Sequence, residues 1–374
     1  MGKATLRDLL KVMVERKASD LHVNVGIPPN LRIDGTLVPL TEHGTLDTAE
    51  TERLCTEVLS PEQKKQLIEN RELDLSFGLE QRCRIRANIY WQQGGMSGAF
   101  RNIPFTIPTF ESLGLPSILM TLTERSRGLI LVTGPTGSGK STTLAAMIDR
   151  INAARHDHII TIEDPIEYIY TQKQCVINQR EVGQDTKSFN AALKYVLRQD
   201  PNVVLIGEMR DLETIQNAIT VAETGHLVFA TLHTNNAVQT IDRIIDVFPP
   251  HHQPQVRTQL SFILEAVISQ ALMPRVGGGR VLGLEIMIPT HAIRNLIREN
   301  KTHQMYAQMQ MGQEGTGMLT MNQSLARLVK ENAITFEEGL RRAIDQEEFL
   351  QLTGRTHPRA GARAAGVTGS SPRG

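Results

Sequence analysis

The 374-residue chain holds 40 basic and 40 acidic residues, so it lacks the global positive field of a nucleic-acid binder. At 40% hydrophobic and 21% charged it suits a globular protein of two domains, at roughly 100–200 residues each. No apolar run approaches the roughly 20 residues needed to cross a bilayer, Met1–Arg16 lacks a signal-peptide core, and Cys55, Cys83 and Cys175 form no C-x-x-C pair. A cytoplasmic chain is expected, with membrane contact only through a partner.

Along the chain, Thr5–Lys17 reads as an amphipathic helix with Leu6, Leu9, Leu10 and Met13 on one face. Strands are expected at Leu21–Val25, Leu31–Ile33 and Thr36–Leu40, the last two flanking an Asp34-Gly35 turn. Thr48–Asn70 reads as one helix capped by Asp47, followed by strands at Asp74–Phe77, Cys83–Tyr90 and Gly98–Asn102, with a Gly94-Gly95 turn. Residues 1–103 thus form a small α+β domain, and the proline-bearing stretch 104–116 a linker. From Ser117 strands alternate with helices, which indicates a mostly parallel sheet. Its expected strands are Gly128–Thr133, His158–Ile162, Val203–Ile206 and Leu227–Thr231, with helices at Lys140–Ala154, Lys187–Arg198 and Asp211–Glu223. Val238–Val247 and Gln255–Met273 read as helices, then a strand at Val281–Met287 and helices to Leu352. This second domain spans 117–352. The tail 353–374, rich in Ala, Gly, Ser, Arg and Pro, reads as disordered.

Gly134-Pro135-Thr136-Gly137-Ser138-Gly139-Lys140-Ser141-Thr142 fits G-x-x-x-x-G-K-[ST], between an apolar strand and a helix. The glycines let backbone N–H groups converge on phosphate oxygens, and the helix N-terminus adds positive charge. Lys140 would reach the β- and γ-phosphates and Ser141 would bind Mg²⁺, which makes ATP–Mg²⁺ the expected ligand. Glu163 and Glu208 lie at strand ends, where carboxylates meet the ligand crevice of an open α/β sheet. Glu163 is the candidate for water activation and Glu208 for the metal's water shell. His233, at the C-terminal end of its strand, is a candidate γ-phosphate sensor, and His226 lies at the other end. Arg84 and Arg86 share one face of a strand, and with Arg101 could be a solvated face or a source of transition-state charge.

The combination resembles the secretion and type IV pilus ATPases. The loop, Ile160–Glu167, Leu205–Asp211 and Thr224–Thr234 look like that family's Walker A, Asp box, Walker B and His box, in order. Ala18-Ser19-Asp20-Leu21-His22 and Pro28-Pro29 look like its N-terminal domain. Ala292-Ile293-Arg294-Asn295-Leu296-Ile297-Arg298-Glu299 resembles a motif of the pilus retraction (PilT) branch; by spacing alone it is a surface helix with an apolar stripe and two arginines on another face. The resemblance implies a RecA-like P-loop domain preceded by a PAS-like domain, in a homo-hexamer acting on an inner-membrane platform protein, with a paralogous ATPase as a further partner. It places Arg86 and Arg101 at arginine-finger positions, Arg84 beside them, Glu163 at the general base and Glu208 at Walker B. Many relatives carry an arginine where this chain has the Gln93-Gly94-Gly95 turn. An assembly or secretion ATPase, a RecA-like nucleic-acid motor and a non-hydrolysing scaffold remain as alternatives.

Overall fold

The computed structural model describes residues 4–33, 35–79, 83–104 and 106–355. They fall into two compact units. One runs to Ile107 and includes Ile166–Thr171; the other holds Pro108–Pro165 and the chain from Gln172 onward.

In the smaller unit, Thr5 and Asp8 form a capping box that opens α1 (Leu6–Glu15), and Leu6, Leu9, Leu10 and Met13 are buried. β1 (Asp20–Val23), β2 (Asn30–Ile33) and β3 (Thr36–Pro39) follow, though Asp34 of the expected turn lies outside the described residues. The single helix expected over Thr48–Asn70 is two, α2 (Thr48–Thr56), capped by Asp47, and α3 (Pro61–Asn70). Pro61 cannot donate to the preceding turn, and Ser60 starts a new helix by accepting from Gln63 N–H. β4 (Glu72–Leu79), β5 (Cys83–Gln92) and β6 (Gly95–Pro104) complete an antiparallel sheet ordered β3-β2-β1-β6-β5-β4. Its apolar face, with Leu21, Leu31, Ile85 and Phe100, packs on the helices.

In the larger unit come α4 (Phe110–Leu113) and α5 (Ile118–Thr123), the former within the stretch expected to be linker. Then follow β7 (Gly128–Thr133), α6 (Lys140–Ala154), β8 (His158–Glu163), β9 (Val176–Glu181), α7 (Phe189–Val196), β10 (Val203–Ile206), α8 (Leu212–Glu223), β11 (Leu227–Leu232), α9 (Ala237–Asp246) and α10 (Gln253–Ile263). β12 (Leu264–Pro274) and β13 (Arg280–Met287) form a hairpin before α11 (His291–Arg298), α12 (Met305–Met311), α13 (Gln313–Thr316), α14 (Met321–Lys330), α15 (Phe336–Arg342) and α16 (Gln346–Thr353). The order is β13-β12-β7-β11-β10-β8-β9, and only β13 runs antiparallel to its neighbour. This is the mixed α/β fold with a mostly parallel sheet that the alternation implied.

A second expected helix is also corrected. The long helix Gln255–Met273 stops at Ile263, and the rest is β12, hydrogen-bonded to β7 and β13. A strand covered on both faces is a continuous apolar run, which periodicity cannot tell from a buried helix. β9 was not anticipated, because its polar Asn178, Gln179 and Arg180 carry no such run. The tail from residue 356 lies outside the described residues. Among those described, no helix is long and apolar enough to cross a membrane.

Glu285 on β13 is only 1% exposed, and its Oε1 accepts the N–H of Ala237, the first residue of α9, at 2.7 Å. Burial pushes its carboxyl up to about 7, against the pull of the Ala237 and Met321 amides. The folded chain keeps this proton up to about pH 7, whereas the unfolded chain releases it near 4.5. Stability therefore falls as pH rises across that window, by on the order of 3 kcal/mol in all. Glu285→Gln, which keeps the acceptor and cannot ionise, should melt above the wild type at pH 8 and close to it at pH 5. Thermal unfolding at the two values checks this, and a pH-independent difference would count against it.

Candidate nucleotide site

β7 ends at Thr133, the loop follows, and α6 begins at Lys140. Gly134 has φ +139°, and a Cβ there would meet Gln270 O of β12 at 2.4 Å and Ser138 Oγ at 2.7 Å, so only glycine fits. Lys140 Nζ donates to Gly134 O at 2.7 Å and Pro135 O at 3.2 Å, folding over the loop. Burial lowers the ammonium's pKa. Ser138 is buried, and its Oγ has no partner among the described residues.

The helix start differs from its neighbours. Ser188, Asp211 and Asn236 cap α7, α8 and α9 with their side chains, whereas α6 starts at Gly139 without one. Its first N–H groups are therefore available to an anion. An uncapped helix, a glycine-only turn, an orphan buried hydroxyl and an ammonium together fit a nucleotide's phosphates.

The acids stand at the ends of β8 and β10, with β11 between them and the loop-bearing β7. Glu163 closes β8 and is 7% exposed; its Oε1 accepts the Thr161 hydroxyl at 2.6 Å and Gln179 Nε2 at 3.4 Å. Gly207 follows β10 and donates its N–H to Ile162 O at 2.7 Å. A Cβ on Gly207 would come within 3.1 Å of Glu163 Cα, so the glycine lets the ends of β8 and β10 close up. The Thr231 hydroxyl donates to Gly207 O at 2.5 Å, tying the same turn to β11.

Glu208 comes next. It forms an ion pair with Arg210 and lies 3.2 Å from His233 Nε2, just past β11. Burial, with the Lys140 and Arg210 charges beside it, holds His233 below its ordinary pKa. A neutral ring facing a carboxylate must donate Nε2–H to it. The loop, Glu163, Glu208 and His233 thus come together at the C-terminal ends of β7, β8, β10 and β11. Among the described residues no three His, Cys, Asp or Glu side chains form a metal cluster, so a metal here would rest on Ser141, Glu208, water and phosphate.

Other candidates lie elsewhere. His226 precedes β11, about 20 Å from its C-terminal end at roughly 3.3 Å per residue. There its Nδ1 is 3.1 Å from Val221 O, and the structure does not bring it to the other site residues of its unit. Asp211 caps α8 through Thr214 N–H at 2.9 Å. Arg84, Arg86 and Arg101 belong to the smaller unit, where Arg84 Nε donates to Ser76 Oγ at 3.0 Å.

On α11, Ile293 and Ile297 are buried as the spacing implied, and Arg294 lies on another face, where it is tied to α10. It donates to Ser261 O at 2.5 Å, Phe262 O at 3.1 Å and Glu265 at 3.2 Å, capping the C-terminal end of α10. Thr161 and Gln179 were not singled out from sequence. Thr161 was findable, two residues before Glu163 and so on its face of the strand; Gln179 was hidden in the unanticipated β9.

A glycine-rich loop on a buried parallel strand, an uncapped helix behind it and acids at the same-end termini of two further parallel strands define a P-loop nucleotide-binding ATPase fold. The chain belongs to the type II/IV secretion system protein family, whose family model matches residues 3–341. It is 47% identical over 348 residues to the "Type IV pilus retractation ATPase PilT" of Pseudomonas aeruginosa, covering 92% of this chain and 99% of that protein. It is 49% identical over 324 residues to a "Twitching motility protein" of Neisseria gonorrhoeae, covering 86% of each. The crystal structure of the pilus retraction motor PilT with bound ADP superposes with a TM-score of 0.87 at 51% identity, covering 92% of this chain and 98% of that one.

Removing the Lys140 ammonium deletes a charge-assisted contact worth about 1.5–3 kcal/mol. Lys140→Ala should weaken ATP binding by roughly 10- to 100-fold in a fluorescent-nucleotide titration, with the melting temperature nearly unchanged. Unaltered affinity would remove the loop from the binding site.

Proposed function

We propose that this protein is a hexameric motor that hydrolyses ATP to power type IV pilus retraction. The full-length similarity to proteins named for retraction and twitching supports the biological role. The chemistry rests on one observation, the buried Glu163 carboxylate at the C-terminal end of β8, on the same edge of the sheet as the phosphate loop. Thr161 and Gln179 hold that carboxylate in place, which suits a general base acting on the water that attacks the γ-phosphate.

The remaining roles follow from chemistry and position. Ser141 and Glu208, the latter through water, would hold Mg²⁺, which when bound neutralises charge on the β- and γ-phosphates. His233, bonded to Glu208, reports whether the γ-phosphate is present. Arg86 and Arg101 supply the positive charge that transition-state stabilisation needs, with Arg84 in support. Hydrolysis then drives a hinge-type rearrangement. In this reading the hexamer works in the cytoplasm against an inner-membrane platform protein, alone or with a paralogous ATPase, and Ala292–Glu299 serves the retraction step. It binds no nucleic acid directly.

Glu163→Gln should keep ATP affinity within about threefold while phosphate release falls by roughly 10²–10⁴-fold. Near-normal turnover would refute the base assignment. Deleting the gene should leave cells with excess pili that do not retract, and normal retraction in the deletion strain would refute the biological role.

A further inference from the structure

One row of the smaller unit's sheet is unusually charged. Registers place Arg32 of β2 opposite Asp20 of β1, Asp20 opposite Arg101 of β6, Arg101 opposite Arg86 of β5, and Arg86 opposite Ser76 of β4. Directly paired residues share a face, and this is the face away from the Leu21, Ile85 and Phe100 core. Three guanidiniums and one carboxylate leave the row at +2. Arg86 and Arg101 oppose each other directly, an arrangement that repels unless an anion or a fixed geometry offsets it. Beyond the ladder bonds of its backbone, the Arg86 side chain makes no hydrogen bond or ion pair with any described residue.

Asp20 supplies the fixed geometry. It is 7% exposed; its Oδ1 accepts Arg101 Nε at 2.8 Å, and its Oδ2 accepts the Ser19 hydroxyl at 2.7 Å. Burial alone would raise its pKa, but the Ser19 hydroxyl and the Arg101 guanidinium outweigh that and hold the carboxyl below its ordinary range. Arg32 lies 3.9 Å from Oδ2, on the far side from Arg101. The Arg101 side chain is 62% exposed, so the pair anchors a solvent-facing group on a buried one. The bond uses Nε and leaves both terminal nitrogens of Arg101 for another acceptor. An exposed ion pair serving stability alone contributes little, about 0–1 kcal/mol.

We infer that Asp20 is a positioning residue. It locks Arg101 beside Arg86, so that the two guanidiniums form a preorganised clamp for a phosphate group. This rests on the proposed ATPase function, in which the phosphate belongs to ATP. Asp20 touches no substrate and acts only through Arg101.

The test is a double-mutant cycle on the ATPase activity of the full chain, with melting temperatures measured alongside. Asp20→Ala should lower kcat roughly 10- to 100-fold, the loss expected of one misplaced group, with KM changed less than threefold. In an Arg101→Ala background the same substitution should change kcat less than twofold, because nothing remains to position. Asp20→Asn keeps an acceptor for Arg101 Nε and should restore most of the rate lost in Asp20→Ala. If Asp20→Ala proves unfolded at the assay temperature, the same cycle is run with Asp20→Ser, whose shorter side chain cannot hold Arg101 Nε, and is read for the same loss of effect.

The inference is overturned if Asp20→Ala, when folded, leaves kcat unchanged, or if its loss persists undiminished in the Arg101→Ala background. A distinct result, Arg101→Ala itself without effect, would overturn the arginine's role in the proposed reaction.

Discussion

The common register of four parallel strands carries the rest of the structure. β7, β11, β10 and β8 hydrogen-bond side by side, with Thr133 level with Leu232, and Ile206 level with both Ala230 and Ile162. Their interiors are buried on both faces and have no room for an unpartnered charge. Chemistry is therefore confined to where the strands stop, and the register makes them stop together. Gly207 sharpens this. By letting the ends of β8 and β10 approach, it brings successive acids to the edge where the phosphate loop begins.

Two buried carboxylates show how that edge differs from the interior. Glu163 has the Thr161 hydroxyl and the Gln179 amide as donors and stands at a strand end. Glu285 lies deeper, and its acid form is favoured up to about pH 7. The deeper one still bears on the site. By accepting from the first residue of α9 it anchors the far end of the segment that starts at His233, the residue bonded to Glu208. A group that never meets nucleotide thus helps fix one that is proposed to.

Legibility in the sequence followed the locality of each signal. The phosphate loop was readable because its glycines, lysine and flanking strand are contiguous, and Asp47 was readable as a cap because it stands next to the helix it starts. What failed depended on neighbours distant in sequence. β12 looked like an extension of α10 until β7 and β13 supplied its hydrogen-bond partners. Spacing put Arg294 on the face away from the apolar stripe but could not show that the fold sets it against the carbonyls that end α10, some 32 residues away. The cross-strand row through Asp20 was unreadable for the same reason, since Asp20 and Arg101 are 81 positions apart.

The β5–β6 turn bears on the same row. Gln93 and Gly94 have φ of +46° and +79°, as a two-residue turn of the primed kind requires, and its twist suits the flanking strands. A side chain at position 94 would find open space, with nothing within 4 Å of its Cβ, but would pay for the left-handed backbone, about 1–2 kcal/mol. The turn also sets the register that pairs Gln92 with Gly95 and, six residues further along each strand, Arg86 with Arg101. Slipping one strand by one residue would send its arginine to the apolar face. The glycine at position 94 thus favours the turn that keeps Arg86 and Arg101 aligned on the polar face, and Asp20 then has a fixed Arg101 to hold.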